Sequence, residues 1–173
     1  MHRRRLLCLA ALGAAGASAS RQAFALDAPE GQVVLTLTGR VRSHNHVAQG
    51  ESQAQFDMAM LERLPQQSYT TRTPWYSQPR KFTGPLLRDV LAAAMAQGGS
   101  LRATALNDYR VDIPYDDVQR YDVLLARLLD DKPMSVRDKG PLFIIYPFES
   151  NSALRRALYY TRCAWQLKAI EIL

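Results

Sequence analysis

The sequence predicts an α+β domain made mostly of β-strand, of sandwich or barrel-like type, with one main helix at about 85–96. Three observations carry this. Short runs that alternate apolar and polar residues recur along the chain, turn-forming residues separate them, and only one stretch keeps a helical period for several turns. Repeats, low-complexity tracts and linkers are absent, so residues 26–173 are expected to form a single domain, long enough to bury a proper core.

The elements follow in order. Val33 to Gly39 alternates and is rich in β-branched residues, which predicts a strand. Arg40 to Ser52 is polar and turn-rich, a hairpin or a loop, and Phe56-Asp57-Met58 resumes a strand. Leu61-Glu62-Arg63-Leu64 makes one helical turn, stopped by Pro65. Gln67 to Thr73 predicts another strand, and Thr70 to Lys81 holds the exposed aromatic loop before the helix. In the main helix Leu86, Leu87, Val90, Leu91 and Ala94 share one face. Pro85 suits its first position and Gly98-Gly99 its end. Asn107-Asp108 between Leu101–Leu106 and Tyr109–Ile113 is a hairpin signal. Tyr121 to Leu128 fits strand or helix, and Asp130 to Pro133 is a turn. Leu142 to Tyr146 predicts a buried strand and Ser152 to Tyr160 a short helix. A last strand has Trp165, Leu167 and Ala169 pointing one way.

The first 25 residues read separately, as a cleavable export signal. Arg3, Arg4 and Arg5 precede an apolar run from Leu6 to Ala17, and Ala23-Phe24-Ala25 supplies a small-x-small cleavage site. The run is shorter than the roughly 20 residues a membrane span needs. Both the general and the twin-arginine export routes are compatible with it. The whole chain carries a formal charge of +6, but the segment holds four of its arginines and no acid. Residues 26–173 have 18 basic against 16 acidic residues, a net +2. The basic balance therefore gives no ground for nucleic-acid binding, which needs a clustered basic face. Cys163 is the one cysteine beyond the signal, so the domain is stabilised by packing without an internal disulfide.

Candidate chemistry is sparse. His44 and His46 share a strand side but lack a third ligand nearby, and read as loop histidines. Cys163 shares a face with Trp165 and Leu167, while the adjacent Arg162 points away, so a buried structural thiol is expected. Asp116 and Asp117 read as a strand end or a turn cap. The more informative set lies at loops and strand ends: Thr73, Trp75 and Tyr76, then Asn107 and Tyr109, then Arg137. Aromatic faces, an amide and a cation are what a flat polar heterocycle with an acidic tail requires. Edge-of-core aromatics and a solvated basic turn would leave the same pattern.

Several motifs occur in a fixed order: Phe82-Thr-Gly-Pro-Leu-Leu-Arg-Asp-Val-Leu91, Asn107-Asp-Tyr109 with Ile113-Pro114, Lys132-Pro-Met134 with Gly140-Pro141, and Trp165-Gln-Leu-Lys-Ala-Ile170. The ordered set resembles the small exported members of the sulfite-oxidase-like, molybdopterin-binding domain family, over roughly Val33 to Leu173. The resemblance implies a mixed, mainly β fold and a molybdenum–pterin cofactor held by one cysteine in the loop before the helix. Here Thr73-Pro74-Trp75 stands in that region, and neither Thr nor Trp supplies a soft thiolate. The chain is similar to metal-free periplasmic proteins of this fold, which hold a reduced pterin and regulate a membrane-bound cyclic-di-GMP enzyme. That likeness implies a periplasmic, non-catalytic pterin binder without metal, with Thr73, Trp75, Tyr76, Asn107, Tyr109 and Arg137 as ligand-binding residues. Its partner would be the periplasmic part of a membrane signalling protein. A molybdopterin-dependent oxidoreductase and a partner subunit with an empty pocket are the competing expectations.

Overall fold

A computed structural model describes residues 26–173. The expected export signal lies outside the described residues. The chain runs through β1 (Val33–Gly39), β2 (His46–Ala48), β3 (Glu51–Asp57), α1 (Met58–Arg63), β4 (Gln66–Thr73) and β5 (Tyr76–Pro85). It continues with α2 (Leu87–Ala93), β6 (Ser100–Ala105), β7 (Arg110–Pro114), α3 (Tyr115–Arg120), β8 (Leu124–Ala126), β9 (Leu128–Leu129) and β10 (Lys132–Pro133). It ends with β11 (Phe143–Ile145), α4 (Ala157–Thr161), β12 (Ala164–Trp165) and β13 (Leu167–Ile172). The class is α+β and mostly β, as the alternation predicts.

The barrel-like expectation is corrected. Among the described residues the strands form three open sheets, ordered β2-β3-β1-β13-β6-β7, β10-β9-β5-β4 and β12-β11-β8. The six-stranded sheet ends at β2 and β7, which do not pair with each other, so it does not close. Its centre is β13, parallel to β1 and antiparallel to β6. Leu35, Leu37, Leu101, Ile170 and Ile172 from these strands are buried in the common core.

The region Thr70 to Lys81 is not a free loop. β4 and β5 form a long antiparallel hairpin in which Thr73 pairs with Tyr76, leaving only Pro74 and Trp75 in the turn. The main helix is also shorter than its periodicity suggests, Leu87–Ala93 rather than about 85–96. At its start, Gly84 and Pro85 remain in β5, paired with Gln67 and Gln66. Gly84 lies so close to β8 that a Cβ there would run into the Leu125 carbonyl. At its end, the Ala94 carbonyl accepts the N–H groups of Arg42 and Ser43, and Met95 turns left-handed with φ 48°. The helix thus stops before the expected Gly98-Gly99.

Two further corrections concern the last strand and the helices. Gln166 adopts φ 52° and the β13–β6 ladder shifts between Leu167 and Ala169. A bulge of this kind changes which side chains share a face: Leu167, Ile170 and Ile172 are buried, while Ala169 is only half-buried. Instead of one or two helices, the described residues hold four short α-helices and two single 3-10 turns. The ambiguous Tyr121–Leu128 stretch is mostly extended, holding β8 and the start of β9.

Asp57 joins the first sheet to α1. Its Oδ1 accepts the Met60 N–H at 2.8 Å as helix cap, and its Oδ2 accepts the N–H groups of Glu30 and Gly31, each at 2.8 Å. These donors, Met60 and Gly31 foremost, hold its carboxyl below the usual carboxylate range. A lowered folded value stabilises the protein at pH values above the unfolded pKa of about 4, and that contribution is lost as pH falls through the folded value. Asp57→Asn should therefore lower the urea midpoint at pH 7. It should also flatten the fall in that midpoint between about pH 5 and pH 2, measured by fluorescence.

Candidate functional site

The turn at Pro74-Trp75 sets the site. Thr73 Oγ1 accepts the Trp75 N–H at 3.3 Å, so Thr73 shapes the turn and lines neither neighbouring cavity. Consecutive residues then diverge. Trp75 lines one cavity and Tyr76 another, with no lining residue in common.

The first cavity, about 320 Å3, is walled by Trp75, Tyr109, Tyr160 and Trp165, with Asn107, Thr161 and Cys163 also on its lining. Trp75 is half-buried and fixed by other rings. It lies 5.6 Å from Phe143, 5.4 Å from Trp165 and 6.2 Å from Tyr160 between ring centroids, the last two edge-on. Asn107 and Tyr109 come from the β6–β7 turn. Asp108 there adopts φ 62°, the Asn107 Oδ1 accepts the Tyr109 N–H at 3.2 Å, and Tyr109 Oη donates to the Thr161 carbonyl at 3.1 Å. With its carbonyl oxygen engaged, Asn107 has its amide N–H2 available as a donor. At this turn Lys168 Nζ bonds Asp108 Oδ1 at 2.8 Å. The Lys168 amine is the main cause holding the Asp108 carboxyl below its ordinary value.

The second cavity, about 520 Å3, is lined by Tyr76, Arg80, Arg137 and Lys139 among others. Of the six residues singled out in the sequence, the fold thus brings Trp75, Asn107 and Tyr109 together. It places Tyr76 and Arg137 at a separate cavity and uses Thr73 to hold the turn. Sequence reasoning missed Tyr160, Thr161 and Trp165 as lining residues. The signal available was the shared parity of Cys163 and Trp165, which does place both on the first cavity.

It also missed a largely buried ion pair between Asp117 and Arg162. Asp117 Oδ2 accepts from Arg162 Nη1 at 2.6 Å and from Tyr146 Oη at 3.0 Å. The pair's side chains are 17% and 13% exposed, and the Arg162 guanidinium also sits 5.4 Å from the Tyr159 ring. Burial, then the Asp117 charge, drives the Tyr146 hydroxyl well above the ordinary tyrosine range, so it stays a donor. No local motif announces a contact made across such sequence distances.

The donor chemistry bears on the metal that the resemblance implies. Molybdenum in a pterin cofactor needs a soft thiolate. Thr73 and Trp75 occupy the turn, and Cys163 is 2% exposed with its Sγ 3.5 Å from the Tyr159 carbonyl. Burial pushes that thiol well above its usual value. These residues do not fit a molybdenum ligand.

No protein-family model matches the chain, and no curated protein matches it. Among the described residues, no helix is long and apolar enough to cross a membrane.

Replacing Arg162 by Met should cost about 3–5 kcal/mol in urea unfolding, because Asp117 is left buried without its partner. The double variant Arg162→Met, Asp117→Asn should recover part of that loss. An Arg162→Met domain as stable as the wild type would contradict the buried pairing.

Proposed function

We propose that this is a metal-free pterin-binding protein with a sulfite-oxidase-type fold, whose first cavity holds the flat heterocycle. One observation carries the reading. Trp75, Tyr109, Tyr160 and Trp165 wall a 320 Å3 cleft that also has the Asn107 amide on its lining. A planar ring with polar edges uses both features, stacking on aromatic faces and hydrogen-bonding along its rim. The cleft holds no pair of carboxylates and no exposed thiol, which suits recognition better than catalysis.

The reading extends to location and partner. The basic–apolar–small start of the chain supports export to the periplasm. The ordered motif set supports a regulatory role toward the periplasmic part of a membrane-bound cyclic-di-GMP enzyme. In that role the ligand-filled cleft is the sensing element, and the β6–β7 turn, which leaves Leu106 and Tyr109 each 45% exposed beside it, is the surface a partner would read.

Stacking on an aromatic ring contributes about 0.5–1.5 kcal/mol beyond area burial. Trp75→Ala should therefore weaken binding of a tetrahydropterin about two- to tenfold, measured anaerobically by calorimetry, with the far-UV circular dichroism of the domain retained. Asn107→Ala should weaken it by a similar factor. Unchanged affinity in a folded Trp75→Ala variant would sink the assignment of this cleft.

A further inference from the structure

The second cavity is unlike the first in chemistry. Tyr76 and Arg80 lie four positions apart on one face of β5 and both line it. Tyr76 Oη and Arg80 Nε are buried and have no hydrogen-bond partner. Buried polar groups are normally satisfied, and two orphans on the lining of one cavity need an explanation. Both can donate, and Arg can only donate, so the missing partner is an acceptor. Burial, the leading cause, raises the Tyr76 hydroxyl above its ordinary value, which keeps it protonated at neutral pH.

The charges around these two atoms point the same way. The lining holds Arg80, Lys132, Arg137 and Lys139 against Asp130 and Asp138. Both acids are engaged. Asp130 pairs with Arg80 Nη1 at 2.8 Å and accepts the Lys81 N–H at 3.0 Å, while Asp138 Oδ2 accepts the Ser135 hydroxyl at 2.7 Å. The Arg80 guanidinium and the Lys139 amine lie 5.3 Å and 5.0 Å from the centroid of the same Tyr76 ring. Lys132 and Arg137 make no ion pair among the described residues. The cavity therefore has an excess of two positive charges beside two unused donors.

We propose that the second cavity is a separate binding site for a small phosphate monoester. A phosphate ester carries about two negative charges and three acceptor oxygens, which match the charge excess and the orphan donors. A carboxylate brings one charge and two oxygens and matches less well. The volume of about 520 Å3 exceeds what bare phosphate fills, and Leu129 and Met134 provide an apolar surface for the organic part. The hairpin turn sets this site beside the pterin cleft, yet the two share no lining residue, so neither assignment depends on the other.

The test uses phenyl phosphate, inorganic phosphate and benzoate, titrated by calorimetry into the full domain at constant ionic strength. Phenyl phosphate should bind most tightly, at least about tenfold over benzoate. Tyr76→Phe keeps the ring under both cations and removes the orphan hydroxyl. It should leave the melting temperature unchanged or raised and weaken phenyl phosphate about tenfold. Lys139→Met should weaken it comparably, whereas Trp75→Ala should leave it unaffected. Equal affinity for inorganic phosphate would overturn the organic part of the assignment. Absence of binding, or full-strength binding by a folded Tyr76→Phe variant, would overturn the site.

Discussion

The ring of Phe143 is the contact on which the aromatic cleft and the hairpin both rest. It is fully buried, and its centroid lies 5.6 Å from Trp75, 5.7 Å from Phe82 and 6.0 Å from Trp165. Its backbone pairs with Ala126 on one side and Trp165 on the other. One residue therefore ties the three-stranded sheet to the β4–β5 hairpin and to the wall of the first cavity. Each such ring pair contributes about 0.5–1.5 kcal/mol beyond its burial, and edge-on geometry suits the quadrupoles of the rings. Gly84 completes the attachment by letting β5 approach the Leu125 carbonyl directly. Trp75 consequently sits at the tip of a hairpin without being a loose surface residue.

That anchoring explains how neighbouring residues come to serve different cavities. A two-residue turn gives Trp75 to an aromatic cleft and Tyr76 to a basic one. The first offers ring faces and an amide; the second offers cations and unpaired donors. A ligand that occupies either cavity contacts one end of a long, well-paired hairpin. Occupation of one is thereby placed next to the residue that lines the other, with Thr73 fixing the turn between them.

Much of the fold was legible because local pattern dominates in short strands. The alternation of Val33–Gly39, the turn residues Asn107-Asp108 and the apolar run at Leu142–Tyr146 each identify their elements. What was not legible was set by distant contacts. Pro85 suits a helix start in isolation, but pairing with Gln66 keeps it in a strand. The Ala94 carbonyl is taken by the Arg42 and Ser43 amides, so the helix ends early despite a continuing periodicity. Gln166 conceals a bulge that no composition rule reveals. The site was half legible for the same reason. Trp75, Asn107 and Tyr109 stand at turns, which sequence can locate, whereas Tyr160 and Trp165 join them only through the packing around Phe143. The Asp117–Arg162 pair, across 45 residues, left no trace in local sequence.

The central claim is that a pterin-type heterocycle lies between the aromatic walls of the first cavity. The chain has two tryptophans, Trp75 and Trp165, and both line that cavity. Their indole N–H signals in a proton–nitrogen correlation spectrum of the labelled domain report on it directly. Titration with a tetrahydropterin should shift both signals together, saturating with a single binding constant. If both indole signals stay in place while the ligand is bound elsewhere or not at all, the account is contradicted.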